Sequence, residues 1–590
     1  MKYLLPLALV AGLIIFFHPL FKPGLIAGHD TGARLIHIQM ITQALKDGLA
    51  SLASGRSGQF PVRWVEGPAP GLSHPLFNYY APLFYYPPAF LILSGMDAVT
   101  SIYLTLILAG AIGLAGMFFL VRNFAGAWPA AICALLFLFT PYRISQVYVR
   151  AAYMEFAAAS VIPFAFLGIL SIFKSRKISG LIVTAVSLAA IITLHQPTFI
   201  MIFPALLAWI GYLWIKHSSP KGVYLSFLSI AVSLILAASF LLPLVGEAGF
   251  IRSTALSGGY FDFRQHFAAF SQLIYSPWGY GISQAGSGDG MSFQVGVLNW
   301  VILVFALGLV FRHRFYRKIS PPPQTGLIIF FTVLFFYGAF MSTAASLPVW
   351  ERFSILGFIQ YPWRYLSVTS FATAVLALTA AVLIPKNYLL GLAAVMVIFN
   401  WQYLAPAAYL PRNNFTFGDT NFPRTDPMMG LEPGYFPATV TQTNTDPSLP
   451  RFQVVQGKAE IKSLTEKTTK QEFSAEVETP ATVRVNTHYF PGWQAKIDDG
   501  KEISLITPGY NNPEGNMEIN LTPGNYTVSL EFGKTPLRRV ADYLSLGTAL
   551  GLTVLAIFSR SRFWSKYWEF MRAARAKWSK AAFSSPKRKR

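Results

Sequence analysis

Charged residues are scarce in this chain, and acidic residues are the scarcest. Only 12% of the 590 residues are charged, with 26 Asp and Glu against 47 Lys and Arg. Soluble domains carry about a quarter charged residues, so the composition excludes an ordinary soluble protein. The single cysteine, Cys133, excludes an intrachain disulfide. The sequence also lacks DxD, HExxH, GxSxG, CxxC and Walker motifs, which removes the usual support for zinc proteolysis, serine hydrolysis and nucleotide hydrolysis.

The sequence contains many long apolar runs. Each is close to the length of roughly 20 residues that crosses a bilayer as a helix, so the chain is predicted to be a multi-pass α-helical membrane protein of about 12 spans. The approximate bounds of the runs are 3–21, 98–121, 126–141, 155–173, 179–195, 198–215, 223–243, 295–311, 324–343, 366–384, 388–404 and 539–558.

Basic residues lie between alternate apolar runs, and such residues favour the cytoplasmic side. They include Lys174–Lys177, Arg312–Lys318 and the tail 560–590. The alternation predicts that both termini are cytoplasmic and that segment 22–97, the first outer loop, faces outward. The run 84–94 is short for a span and is interpreted as a re-entrant or interfacial helix of that loop. The basic tail suits an anionic leaflet, and no nucleic-acid-binding motif accompanies it.

Segment 405–537 has a different character, because it is polar and alternates in hydrophobicity. Ala481–Asn486 and Tyr526–Phe532 show the period of two that is typical of strands. We therefore predict an extracytoplasmic β-sandwich of about eight strands. The expected organisation is a helical part at 1–404, the β-rich domain at 405–537, a last span at 538–559 and a cytoplasmic tail at 560–590.

An acidic residue follows the first apolar run closely. Asp30, beside His29, is close enough to the outer membrane surface to serve as a general base or to hold a divalent cation near a lipid phosphate. It also precedes a helical pattern that runs to Leu45, so a helix N-cap is an equal alternative. Arg34 lies four residues later on the same helix face.

Further ionisable residues lie at predicted span ends, where they are functional candidates by default. Arg150 suits a phosphate, and Glu155, five residues later, makes a structural ion pair the alternative. Arg364, beside Trp363, is a second phosphate candidate or an interface anchor. His195 ends one run and begins the next, where a structural hydrogen-bonding role is the common one. Arg63 and His74 in the first outer loop have the same two interpretations.

Several of these residues stand in motifs that resemble a known family. His29-Asp30 with Arg34, Pro61-Val62-Arg63-Trp64 and the stretch His74–Leu83 resemble the bacterial membrane proteins labelled "6-pyruvoyl-tetrahydropterin synthase-related". Pro141-Tyr142-Arg143 with Arg150 and Glu155, and His195-Gln196-Pro197-Thr198, resemble its second and third signatures. The architecture is similar to the GT-C superfamily of integral membrane glycosyltransferases.

This resemblance implies an inverting glycosyltransferase of the bacterial cytoplasmic membrane. A polyprenyl-phosphate-linked sugar would be the donor, and a glycan or lipid of the cell envelope the acceptor. Asp30 and Glu155 would be catalytic, and a Mg²⁺ or Mn²⁺ ion, if used, would sit at Asp30 and His29. The substrate-binding residues would be His29, Arg34, Arg63, His74, Arg150, His195 and Arg364. A transporter or flippase of lipid-linked glycans, and a non-catalytic envelope scaffold, are the alternatives.

Overall fold

The computed structural model describes residues 4–53, 59–67, 69–175, 178–252, 257–315, 324–385, 388–410, 433–446 and 448–560. The predicted tail 560–590 lies almost wholly outside them. The helices are α1 Leu4–Phe17, α2 Thr31–Ala53, α3 Leu76–Tyr79, α4 Tyr86–Leu93, α5 Ala98–Val121, α6 Ala127–Leu138, α7 Pro141–Tyr148, α8 Tyr153–Ser175, α9 Ile178–Leu194, α10 Gln196–His217, α11 Pro220–Leu236, α12 Ala238–Gly246, α13 Phe270–Ile274, α14 Val297–Phe315, α15 Thr325–Met341, α16 Leu347–Arg352, α17 Leu366–Leu376, α18 Leu378–Leu383, α19 Leu389–Asn400 and α20 Pro536–Arg560. The strands are β1 Leu25–Ile26, β2 Tyr409–Leu410, β3 Phe452–Lys467, β4 Lys470–His488, β5 Trp493–Asp498, β6 Ile503–Ile506, β7 Asn516–Leu521 and β8 Gly524–Phe532.

The chain is a mostly helical membrane protein, but the predicted count of about 12 spans is not confirmed. Within the described residues, 6 helices are long and apolar enough to cross a membrane, or up to 8 if each of two bent pairs is one span. The pair α6 and α7 bends by 47°, at a point where Pro141 begins α7. Proline lacks the amide hydrogen that would continue the preceding helix. Other predicted spans correspond to helices of 10–17 residues, which are short for a bilayer.

Two helical segments form the centre of the helical part. In the most apolar stretch of Tyr153–Lys174, and likewise of Pro362–Leu383, 83% of the residues are buried. In the last span, Pro536–Ser559, only 6% are buried. Helix α8 approaches α9 closely at Gly168, where a Cβ atom would lie 2.4 Å from the Thr184 hydroxyl. A side chain at this position would push the two helices apart. These two segments are therefore enclosed by other helices, whereas the last span lies at the periphery.

The β-rich region is a single antiparallel sheet in the order β3-β4-β8-β5-β6, with β7 also paired to β4. The first half of β4 pairs with β8 and the second half with β7. Buried side chains from both halves, including Phe473 and Val483, belong to one hydrophobic core. The two strands predicted from alternation lie within β4 and β8. The predicted number of about eight strands compares with six in the described part of this region.

The first outer loop is locked to the β-rich region. Trp64 is fully buried in the β-region core, 5.7 Å from the Trp493 ring and 5.2 Å from the Phe532 ring. Arg451 forms an ion pair with Glu66 at 3.1 Å. Trp493 is likewise a core residue of the β-rich region. The run 84–94 lies within a short apolar helical segment, Leu83–Leu93, made of a 3₁₀ turn and α4. Its re-entrant or interfacial placement stays a prediction.

Candidate active site

Asp30 is positioned by backbone contacts on both of its flanks. Strand β1 pairs with β2, and α2 begins one residue after Asp30. The backbone N–H groups of His29 and Asp30 donate to the carbonyls of Val149 (3.0 Å) and Arg150 (3.1 Å). This short ladder fixes the start of α2 against the turn that precedes α8. As a result, Asp30 and Arg150, far apart in sequence, lie side by side.

The Asp30 carboxylate is paired with a guanidinium and still reaches solvent. Arg34 Nη2 lies 2.5 Å from Asp30 Oδ2, and the Asp30 side chain is 44% exposed while that of Arg34 is 6% exposed. Arg34 also donates to the hydroxyls of Tyr80 and Tyr85. Burial raises the Asp30 pKa, but Arg34, Arg150 and Arg364 outweigh it, and the pKa lies below the ordinary value of 3.8. Asp30 is thus an ionised, accessible carboxylate held in one orientation by Arg34.

A second carboxylate, that of Glu155, forms ion pairs with two further guanidiniums. Glu155 Oε2 lies 3.0 Å from Arg150 Nη1 and 3.5 Å from Arg364 Nε. The Glu155 side chain is 1% exposed, and its Oε1 accepts hydrogen bonds from the Tyr142 hydroxyl (2.6 Å) and the Gln146 amide (2.9 Å). With both oxygens engaged and water excluded, Glu155 holds the two arginines in place. It is poorly suited to exchange protons with a substrate, contrary to the expectation of a catalytic role.

Aromatic rings support the two arginines from the other side. The Arg150 guanidinium lies 4.3 Å from the centre of the Trp363 ring, and that of Arg364 lies 4.8 Å from the Tyr361 ring. The Tyr361 and Trp363 rings stack on each other at 4.9 Å. Contacts of this kind stabilise a cation and fix the plane of its N–H groups. The arginines are therefore preorganised before any anion binds.

The two histidines of the site differ in accessibility. His195 is buried at the junction of α9 and α10, and its Nδ1 lies 2.8 Å from the Thr198 hydroxyl. It interacts electrostatically with Arg364 and Glu155. His29 is held by its Nε2, which lies 3.0 Å from the Tyr280 carbonyl. Burial lowers the His29 pKa from 6.5, so this imidazole is neutral at neutral pH.

These residues form a positively charged site at one end of the helical part. Asp30 follows the C-terminal end of the first span, while Glu155 and Arg364 lie at the N-terminal ends of theirs. Three guanidiniums and two carboxylates leave one net positive charge before either imidazole is counted. A single phosphodiester carries one negative charge, so the site complements such a group.

Two predicted site residues lie elsewhere. Arg63 forms an ion pair with Asp542 of α20 at 2.6 Å. His74 is fully buried, with Nδ1 3.1 Å from the Leu72 carbonyl and its ring 5.0 Å from Phe436. Both side chains connect the first outer loop to other parts of the chain, and we do not assign them to the site. The sequence places Arg63 and His74 in a loop, but it does not show that their side chains make buried contacts.

The side chains around Asp30 do not fit a divalent cation. Hard cations take several oxygen ligands, but the Asp30 carboxylate is paired with Arg34 and the nearby Glu155 carboxylate is saturated. No group of three or more His, Cys, Asp or Glu residues suited to a metal occurs within the described ranges. The neighbouring guanidiniums would also repel a cation. The expected metal site at Asp30 and His29 is therefore not supported by the donor set.

Three solved structures give a measure of likeness to known proteins. They are the arabinofuranosyltransferase AftD from Mycobacteria (14% identity, 68% of this chain and 26% of that chain, TM-score 0.40), ArnT from Cupriavidus metallidurans bound to undecaprenyl phosphate (15% identity, 64% and 77%, TM-score 0.29) and the oligosaccharyltransferase of Archaeoglobus fulgidus (11% identity, 74% and 55%, TM-score 0.35). The chain spans well under two thirds of the length of the arabinofuranosyltransferase. Likeness at this level does not establish a shared activity.

Sequence comparison adds no relative. No family model matches the chain, and no curated protein matches it. Membership of the family that the first-loop motifs resemble is therefore not shown, and function has to be argued from the site itself.

The neutral side chains that complete the Glu155 cluster were not predicted from the sequence. Tyr142 and Gln146 lie on α7, and the Ser367 hydroxyl of α17 lies 3.4 Å from Glu155 Oε1. Tyr142 stands in the second signature, but its partner there is not evident from the sequence. A helical wheel shows Tyr142 and Gln146 on one face, four residues apart, which was the available signal.

Proposed function

We propose that this protein is an integral membrane glycosyltransferase. It would move a sugar from a polyprenyl-phosphate-linked donor to a glycan or lipid acceptor of the cell envelope, at the outer face of the bacterial cytoplasmic membrane. The observation that carries the proposal is the sharing of one buried carboxylate, Glu155, by two guanidiniums, beside the accessible carboxylate of Asp30. An anion site next to a base is what transfer from a sugar phosphate requires.

Arg150 and Arg364 are the proposed donor-phosphate ligands. Both present planar N–H groups that match phosphate oxygens. In the transfer step the bond between the sugar C1 atom and the phosphate oxygen breaks, and negative charge develops on the leaving phosphate. The arginines stabilise that charge more in the transition state than in the ground state, which is the basis of the rate acceleration.

Asp30 is the proposed general base. Its lowered pKa keeps it ionised at neutral pH, and its side chain is 44% exposed. The carboxylate would accept the proton from the acceptor hydroxyl as the acceptor oxygen bonds to C1. Attack from the side opposite the phosphate inverts the configuration at C1. His29 and His195 would orient the sugar or the acceptor through hydrogen bonds.

The proposed orientation rests on the basic segments between the apolar runs. It makes both termini cytoplasmic and turns the site and the β-rich region outward. The β-rich region is fastened to the first outer loop through Trp64 and Glu66. The β-rich region would bind the acceptor on the same side of the membrane as Asp30.

The test is a transfer assay with the purified full chain in detergent. A radiolabelled sugar on undecaprenyl phosphate is the donor, and a membrane-lipid and glycan extract supplies acceptors. Wild type should form a labelled product, and Asp30→Asn should lower the rate by about 100-fold or more. Asp262→Asn, which changes an exposed Arg264 ion pair instead, is the matched control. Transfer by Asp30→Asn at the wild-type rate would remove Asp30 as the base.

A further inference from the structure

Three aromatic rings stand together beside the charged site, and we call them the aromatic wall: Tyr260, Phe261 and Tyr361. The Tyr260 and Phe261 rings lie 5.8 Å apart, and their distances to the Tyr361 ring are 6.2 Å and 6.5 Å. Tyr260 is 43% exposed and Phe261 37% exposed. Together the partly exposed rings form an aromatic surface that is open to a ligand.

The wall is held rigidly rather than left on a loose loop. The buried His266 ring lies 4.7 Å from Tyr361, its Nε2 lies 2.5 Å from the Tyr260 carbonyl, and its Nδ1 lies 3.0 Å from the Ser283 hydroxyl. The same hydroxyl accepts a hydrogen bond from Trp363 Nε1 at 3.1 Å. Preorganised rings bind without an entropic cost of ordering them.

The wall is continuous with the proposed phosphate site. Tyr361 carries the Arg364 guanidinium on its ring and stacks on Trp363, which in turn carries Arg150. Tyr260 interacts electrostatically with both Arg150 and Asp30. If a sugar phosphate is bound by Asp30 and the arginines, the adjoining sugar ring would therefore lie at the aromatic wall.

We propose that the aromatic wall is a subsite for a sugar ring. Sugars combine an apolar face of C–H groups with a hydroxyl rim, and tyrosine combines an apolar ring with a polar tip, so the two match. The ring comes either from the acceptor glycan or from the transferred sugar of the donor. This inference rests on the proposed function for its biological meaning, but the binding of sugar at the wall is testable without turnover.

The first experiment measures binding. Saturation-transfer-difference NMR is recorded on the full chain in nanodiscs with methyl glycosides of glucose, galactose, mannose and arabinose. Wild type should transfer magnetisation to at least one glycoside, and Phe261→Ala and the double variant Tyr260→Ala/Phe261→Ala should weaken binding by about tenfold or more. Tyr275→Ala is the control, since Tyr275 is 68% exposed and is not part of the wall. Phe261→Ala removes no hydrogen bond, which separates loss of binding from misfolding.

The second experiment measures turnover in the transfer assay. A higher KM for the acceptor identifies an acceptor subsite, and a higher KM for the donor identifies the transferred sugar; either supports the wall. If sugar binding depends on the aromatic wall but the wild-type protein shows no transfer activity, the proposed function is overturned. The sugar subsite is then still supported. Transfer with wild-type constants in the double variant, or sugar binding equal in wild type and double variant, would overturn the subsite. Equal losses in Tyr275→Ala would do the same.

Discussion

Glu155 and Arg150 form a buried ion pair, with 3.0 Å between Oε2 and Nη1, at the end of one of the two central spans. Arg364 reaches the same oxygen from a span far along the chain. A buried carboxylate between two guanidiniums leaves positive charge uncompensated, because one negative charge cannot neutralise both cations. The pair therefore fastens the helices together and also keeps an anion site ready.

Removal of the Glu155 charge should destabilise the protein. Glu155→Gln leaves Arg150 and Arg364 buried without a counter-charge, which typically costs about 3–5 kcal/mol. We expect a markedly lower midpoint of thermal unfolding in detergent. Glu351→Gln, at an exposed ion pair with Arg264, should leave the midpoint almost unchanged because exposed pairs contribute little. Equal midpoints for Glu155→Gln and wild type would show that the arginines are balanced by something other than this carboxylate.

Loss of Arg364 should slow transfer from the donor. Its side chain is 13% exposed, so part of the guanidinium is accessible to an anion. Loss of a hydrogen-bonded charge pair with the leaving phosphate predicts a donor kcat/KM about 10- to 100-fold lower in Arg364→Gln. Arg364→Lys should recover only part of the loss, since an ammonium lacks the planar fork. Steady-state kinetics with varied donor measure this, and Arg264→Gln, at a half-exposed arginine, is the control. A donor kcat/KM equal to wild type in Arg364→Gln contradicts the assignment.

The rate of transfer should show no step at the ordinary histidine pKa. Burial lowers the pKa of His29 from 6.5, and the arginines hold that of Asp30 below 3.8. The Asp30 carboxylate thus stays ionised as acid is added from neutral pH, and kcat/KM should show no midpoint near pH 6.5. The rate declines only where the Asp30 carboxylate becomes protonated. A pH–rate profile with a midpoint near 6.5 would mean that a histidine does the proton transfer.

A pair of buried histidines makes the junction of the first outer loop and the β-rich region sensitive to acid. Burial lowers the pKa of His74 from 6.5 to about 3 and that of His488 to about 4. Each ring packs against Phe436, at 5.0 Å and 5.5 Å respectively, and Arg252 also disfavours protonation of His488.

Because the unfolded chain binds these protons and the folded chain does not, the free energy of unfolding falls as pH drops below about 6.5. It continues to fall until the folded pKa values are reached. Thermal unfolding between pH 7 and pH 4 measures the effect, and the double variant His74→Gln/His488→Gln should have a smaller pH slope. An unchanged slope would place the acid sensitivity in other groups.

Local features of the site were predictable from sequence, and long-range ones were not. The spacing of Asp30 and Arg34 places them on one helix face, where the structure pairs them. The spacing of Arg150 and Glu155 leaves their ion pair as one of two interpretations. No local pattern shows that Arg364 joins Glu155, because that contact depends on how two distant spans pack. Likewise, hydropathy finds each apolar run but cannot tell whether a run of 10–17 helical residues crosses the bilayer.

The loop residues illustrate the same limit. Arg63 and Trp64 are neighbours in a motif, yet the first pairs with Asp542 of α20 and the second fills the core of the β-rich region. Both partners come from the last part of the chain. Alternation predicted strands there, but the identity of the surface that covers them is a property of the folded molecule.

The most direct measurement is a cryo-electron microscopy structure of the full chain with undecaprenyl phosphate. The account predicts the phosphate between Arg150 and Arg364, with its oxygens within about 3 Å of both guanidiniums, and Asp30 facing the position of the sugar C1 atom. A phosphate bound elsewhere on the protein, with Arg150 and Arg364 still closed on Glu155, would contradict it.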